Sequence, residues 1–140
     1  LQGRLAIGQV GDSRAYLIRE NSIRQLTRDQ SLVAQRVTEG EISEEEARSH
    51  PQRNILLQAL GVRSTVELGL RSTILRPYDL LLLCSDGLHS QMSGDEILDT
   101  VSNSTRARDA CRNLVDLANE RGGPDNITAV LVEFLPPDRE

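Results

Sequence analysis

A chain of 140 residues suffices for one domain or a large piece of one. Its formal net charge of -5, the lack of a Lys/Arg block and the scarcity of aromatics (Phe134, Tyr16, Tyr78, no Trp) exclude the basic footprint and stacking platforms of a general nucleic-acid binder. Leu, Ile, Val and Ala must fill the core, and the longest strongly apolar run, Leu80–Cys84, is far too short to cross a bilayer, so no membrane insertion is expected.

In chain order, residues 5–10 and 15–18 read as strands joined across Gly11-Asp12-Ser13-Arg14. Glycine there accepts unusual φ, and the Asp and Ser side chains can bond their own backbone. A third strand is predicted over 23–26 after the turn Glu20-Asn21-Ser22, and the three together suggest an antiparallel meander. From Asp29 the period changes. Leu32, Val33, Val37 and Ile42 are too sparse for a core helix and predict a small solvated helical excursion. Ser43-Glu44-Glu45-Glu46 has the S-x-x-E form of a capping box, so a short helix should start there and end before His50-Pro51. A strand follows over 66–70. Residues 79–84 are apolar on both faces, which predicts a strand buried in the middle of a layered structure.

Ser93-Gly94-Asp95-Glu96 is a second capping box, leading into Ile97, Leu98 and Val101. The strongest helical signal covers 105–121, with Ala107, Ala110, Cys111, Leu114, Val115, Leu117 and Ala118 at helical spacing, and Gly122-Gly123-Pro124 stops it. Residues 127–134 predict a last strand and 136–140 a solvated end. Without regular βαβ alternation, the fold class is α+β. Cys84 and Cys111 lack C-x-x-C spacing and read as free thiols of a reducing compartment, and no basic-then-apolar leader points to export, so a cytoplasmic location is expected. The chain begins with Leu1 rather than Met, directly in strand-like text, and reads as cut from a longer one.

Three acids sit at the edges of predicted strands beside glycine: Asp12 in Gly11-Asp12-Ser13-Arg14, Asp86 in Ser85-Asp86-Gly87-Leu88, and Asp125 in Gly122-Gly123-Pro124-Asp125-Asn126. A carboxylate at the mouth of an apolar strand is desolvated unless donors or a cation compensate it, and hard divalent ions prefer such oxygen ligands. Taken singly, each has a plainer reading: Asp12 as a turn residue, Asp86 as a cap of the following helix, Asp125-Asn126 as a connector. His50 reads as a boundary residue, His89 as a surface or packing residue, Arg14 as an ion-pair partner, and Glu44 to Glu46 as a solvated first turn.

Together, the runs Val10-Gly11-Asp12-Ser13-Arg14-Ala15-Tyr16, Leu26-Thr27-Arg28-Asp29-Gln30-Ser31-Leu32-Val33, and His50-Pro51-Gln52-Arg53-Asn54-Ile55-Leu56 leading to Ala59-Leu60-Gly61 are similar to the PPM (type-2C) metal-dependent serine/threonine protein phosphatases. So are residues 79–88 and Gly123-Pro124-Asp125-Asn126-Ile127-Thr128, in the family's order. The detail around residues 29–61 resembles the bacterial branch, whose members often oppose Ser/Thr kinases. The resemblance covers nearly the whole chain and implies an antiparallel β-sandwich flanked by helices, represented by its C-terminal portion with the N-terminal part missing. It implies that Asp86 and Asp125 are metal ligands of a two-metal Mn2+ or Mg2+ centre, that Asp12 helps hold a weaker third metal, and that Gly87 and Asn126 support these loops. It makes residues 30–50 a flap-like segment of one partial domain, 1–140. It implies hydrolysis of phosphoserine and phosphothreonine in phosphorylated proteins by metal-activated water, with no phosphoenzyme and no catalytic residue beyond the metal ligands.

Two departures qualify the resemblance. The family's Asp-Gly-x-Gly-Gly motif, its upstream acidic ligand and its phosphate-binding arginine occur nowhere in the chain, so the isolated fragment is expected to be inactive. Where some members carry a third-metal acid four residues after the Ser-Asp-Gly aspartate, this chain has Ser90. These departures motivate an alternative: a non-catalytic regulatory or binding module of phosphatase fold.

Overall fold

A computed structural model describes residues 3–136. Strand β1 (Gly3–Gln9) pairs antiparallel with β4 (Gly69–Leu75), and these two form one sheet. The other sheet runs in the order β3 (Ser22–Gln25), β2 (Arg14–Arg19), β5 (Leu80–Cys84), β6 (Ala129–Glu133), with every neighbour antiparallel. The α+β class and the two-sheet arrangement agree with the sequence reading.

The expected three-stranded meander does not form. β2 and β3 make a hairpin whose central residues, Glu20 and Asn21, both adopt positive φ, as a two-residue turn with the twist of its strands requires. β1 instead belongs to the other sheet. Gly11, at φ +100°, turns the chain from one sheet to the next, and Gln9 spans the crossing by donating its amide to Ser13 O (2.9 Å) and Gly11 O (3.3 Å). Turn-forming residues signal a change of direction, not the strand that will be the partner. Strand bounds also move: the strand expected over 66–70 is Gly69–Leu75, and that over 127–134 is Ala129–Glu133.

Helices cover one face of the larger sheet. Helix α3 (Asp86–His89) follows β5 directly, α4 (Gly94–Ser102) starts at the Ser93 capping box, and α5 (Ala107–Glu120) returns to β6. Ala110, Leu114 and Ala118, spaced by four along α5, lie inside with Ile97, Val101, Leu88, Leu82, Cys84, Tyr16 and Ile18. Glu96 closes its capping box on Ser93 and also accepts from Arg121 Nη2 (2.6 Å), which fastens the start of α4 to the end of α5. The Arg121 and Ser93 hydrogen bonds bring the Glu96 carboxyl down to about 2. The excursion between the sheets holds α1 (Leu32–Thr38), in which only Val33 is buried, and α2 (Glu44–Ser49), which buries nothing and starts at the expected capping box.

The reading of β5 as buried on both faces needs correction. Leu82 and Cys84 face the helices and are closed off, but Leu83 is 40% exposed on the other face. On β6, Val130 opposite Leu83 is 47% and Val132 opposite Leu81 is 48% exposed, whereas Ala15 and Leu17, their counterparts on β2, are buried. The two-stranded sheet thus covers only part of the larger sheet. Its other face is also uncovered: Leu70 and Ile74 are both exposed. A bidentate pair, Arg19 to Asp79 (2.8 and 2.6 Å), with Arg19 also donating to Ile74 O, ties β2 to the turn between β4 and β5. These hydrogen bonds hold the Asp79 carboxyl below its ordinary range. Of the predicted solvated end, 137–140 lie outside the described residues. Among the described residues no helix is long and apolar enough to cross a membrane.

Exposed valine and leucine on two sheet faces form surface that water solvates poorly and that other strands or faces can cover. The 140-residue chain expressed alone is expected to self-associate, with sedimentation velocity showing concentration-dependent species. A monodisperse monomer that unfolds cooperatively would contradict this.

Candidate metal centre

The site is built on the last residues of β5 and the loop before β6. Cys84 pairs with Ala129, and the ladder continues past the strand ends: Ser85 N donates to Thr128 O (3.1 Å). The Ser85 hydroxyl does not cap α3. It donates to Asn126 O (3.1 Å) and accepts from Thr128 N (3.0 Å). One serine therefore joins the loop of Asp86 to the loop of Asp125. Each aspartate accepts from the next backbone N–H, Gly87 N to Asp86 Oδ1 at 2.9 Å and Asn126 N to Asp125 Oδ1 at 2.7 Å, leaving the second oxygen of each without a partner among the described contacts. Gly87 is required by space: a Cβ there would lie 2.3 Å from Asn126 O. Asn126 thus acts in the site through its backbone carbonyl.

Asp12 arrives from the crossover between β1 and β2. His89, three residues after Asp86 on α3, donates Nε2–H to Asp12 O (2.9 Å), and so links this loop to the same short helix. Burial raises the Asp12 carboxyl above its ordinary range, and the negative charges of Asp86 and then Asp29 raise it further. Burial, and then the charge of Arg14, lower the His89 imidazole, which favours the neutral ring with its proton on Nε2. Behind the loop, Arg14 grips Asp29 through Nε (2.9 Å) and Nη2 (2.7 Å) and donates Nη1 to Tyr16 OH (2.9 Å). Burial depresses this guanidinium, but Asp29 and Tyr16 together more than offset it, and the net shift is upward. Cys84, at the root of the site, is pushed by burial up to about 12, which keeps it a thiol and no nucleophile.

Of the sequence-predicted residues, Asp86, Gly87, Asp125 and Asn126 lie in two stitched loops, and Asp12 is near enough to Asp86 for their charges to interact. Ser90 ends α3 and accepts from Gln91 Nε2. His89 has a positioning contact that its isolation in sequence did not reveal; its i, i+3 spacing from Asp86 on a one-turn helix was the available signal. The donor chemistry, hard carboxylate oxygens that repel one another, fits a divalent cation. The set is partial: among the described residues no group of three or more His, Cys, Asp or Glu side chains is arranged to hold a metal ion.

Replacing Gly87 by Ala should force the two loops apart and cost about 1–3 kcal/mol in urea denaturation; an unchanged midpoint would contradict the close approach. A second expectation concerns acid. Folded His89 stays neutral where unfolded imidazole takes up a proton, so stability declines as pH falls below about 6.5, by at most about 1.4 kcal/mol per pH unit. Asp12, raised in the folded state, works in the opposite sense. His89→Gln, which keeps a donor for Asp12 O, should flatten the decline between about pH 6.5 and 5; an identical profile in both proteins would refute the assignment.

No family model matches the chain. It is 43% identical over 132 residues to the serine/threonine phosphatase Stp of Listeria welshimeri, and 43% over 131 residues to the protein phosphatase PhpP of Streptococcus pneumoniae, covering 94% of this chain in each case but 52% and 53% of those proteins. The crystal structure of the Mycobacterium tuberculosis serine/threonine phosphatase PstP/Ppp superposes with a TM-score of 0.89 at 39% identity, over 95% of this chain and 56% of that one. The PstP catalytic domain in complex with two manganese ions matches with a TM-score of 0.83 at 38% identity, over 95% and 54%. The chain spans about half the length of the relatives it matches. By sequence and by fold, nearly the whole chain is similar to about half of these bacterial serine/threonine phosphatases.

Proposed function

We propose that the chain contributes the C-terminal part of the catalytic domain of a metal-dependent protein serine/threonine phosphatase, with Asp86 and Asp125 as ligands of a two-metal Mn2+ or Mg2+ centre and Asp12 as a weaker third-metal ligand. The observation that carries this reading is the stitch through Ser85, which joins the loops of two acids 39 positions apart in sequence and keeps an oxygen of each carboxylate available. The chemistry such ions supply is activation of water and neutralisation of charge on a phosphoryl group. The chain's own residues fix the carboxylates through the Gly87 and Asn126 amides and anchor the Asp12 loop through His89. The remaining ligands and the phosphate-binding arginine belong to a segment outside this chain. The uncovered sheet faces and the half-length coverage of the relatives both favour such a segment.

Residues 30–50 form the flap-like segment beside the site, and the substrates are phosphorylated proteins, including those of a Ser/Thr kinase. The free Cys84 and Cys111 accord with a reducing, cytoplasmic setting. The incomplete donor set and Ser90 favour one other reading, a non-catalytic module that keeps the fold.

The test is Mn2+-dependent hydrolysis of phosphothreonine peptides by the complete gene product. Asp86→Ala and Asp125→Ala should each lower kcat by at least about 100-fold, the scale of losing a group that stabilises transition-state charge. Wild-type activity in both variants would overturn the assignment of these ligands. An inactive wild type that binds no Mn2+ in calorimetric titration would favour the non-catalytic module.

A further inference from the structure

Gln30 uses all four of its polar groups on the backbones of other segments. Its N–H donates to Gly11 O (3.0 Å), and its side-chain Oε1 accepts from Gly11 N (2.8 Å), so both polar groups of Gly11 are bound to one residue. Its carbonyl accepts from Leu57 N (2.8 Å), and its side-chain Nε2 donates to Glu67 O (2.8 Å). Three stretches of chain meet on this residue: the crossover that carries Asp12, the return from α2 at Leu57, and the approach to β4 at Glu67. Gly11 sits at positive φ immediately before Asp12, so a shift of its peptide reorients the aspartate directly. Gln30 also lines a groove of about 350 Å³ with Arg28, Gln35, Leu57 and Arg71. Whatever occupies that groove rests against Gln30, the residue that holds Gly11.

The geometry points to Gln30 as a positioning residue: a single amide side chain couples the 57–67 segment and its groove to the loop that presents Asp12. Its oxygen fixes the Asp12 loop and its nitrogen fixes the segment, so the two functions are separable by chemistry. The catalytic consequence rests on the phosphatase reading; the coupling itself does not.

The experiment compares the complete gene product with its Gln30→Leu and Gln30→Glu variants by hydrogen exchange over residues 9–14 and 57–68, and by turnover of p-nitrophenyl phosphate with Mn2+. Leucine keeps the bulk and loses both side-chain bonds, so exchange should rise about tenfold over 9–14, where Gly11 N–H loses its acceptor, and should also rise over 57–68, where the Glu67 carbonyl loses the donor that ties the segment down, with kcat falling about tenfold. Glutamate keeps the acceptor for Gly11 N and loses the donor to Glu67 O. Protection should then return over 9–14 but not over 57–68, with kcat within about threefold of wild type. Wild-type exchange over 9–14 in Gln30→Leu would overturn the coupling, as would lost protection over 9–14 in Gln30→Glu. Raised exchange over 9–14 in Gln30→Leu without any change in turnover would overturn the positioning role. Should Gln30→Leu fail to fold, the two segments of Gln30→Glu decide the matter. If the wild-type protein hydrolyses nothing, the phosphatase reading fails while the exchange pattern still tests the coupling.

Discussion

The hydrogen bonds of Ser85 are what the site depends on. The β5–β6 ladder ends at Cys84 and Ala129, and without further bonds the following loops could splay, carrying Asp86 and Asp125 apart. Ser85 extends the pairing through its backbone and turns its hydroxyl across to Asn126 and Thr128, and Gly87 admits the Asn126 carbonyl at a distance that no side chain would permit. A serine that would otherwise cap a helix is used to hold two acidic loops in contact. The helix it precedes is only one turn long and is anchored instead by burial of Leu88.

Holding acids together is electrostatically unfavourable, and the structure shows the strain in the raised Asp12 carboxyl, which burial, Asp86 and Asp29 all push upward. Arg14 compensates chiefly Asp29, both of whose carboxylate oxygens engage its guanidinium, and its charge lowers Asp12 less than burial, Asp86 and Asp29 raise it. Carboxylates gathered in this way are the kind of oxygen ligand that a hard cation would balance. The polar latch of Gln9, Arg14 and Gln30 around the crossover supplies rigidity on the other side.

Local features were legible in the sequence. Both capping boxes form as read, because each needs only a serine and a glutamate three residues apart, and α5 follows its apolar spacing to within two residues. Features that depend on distant partners were not. The turn chemistry at Gly11 could not say that β1 would pair with β4, some 60 residues on, and the all-apolar text of β5 could not say that its second face would stay partly open. For the site, spacing alone left Asp86 and Asp125 as plausible cap and connector; the family resemblance raised them above that. Gln30 carried no signal, and His89 only its spacing from Asp86, because their contacts are to backbone atoms of other segments, Gly11, Leu57, Glu67 and Asp12, and a backbone partner leaves no residue type to read.

The central claim, that two stitched loops present Asp86 and Asp125 to shared divalent cations, is tested most directly by anomalous diffraction at the manganese edge from crystals of the complete gene product grown with Mn2+. The expected result is a pair of manganese peaks about 3.5–4 Å apart, with Asp86 and Asp125 oxygens within coordination distance, about 2.0–2.2 Å. Manganese peaks that touch neither carboxylate would contradict it.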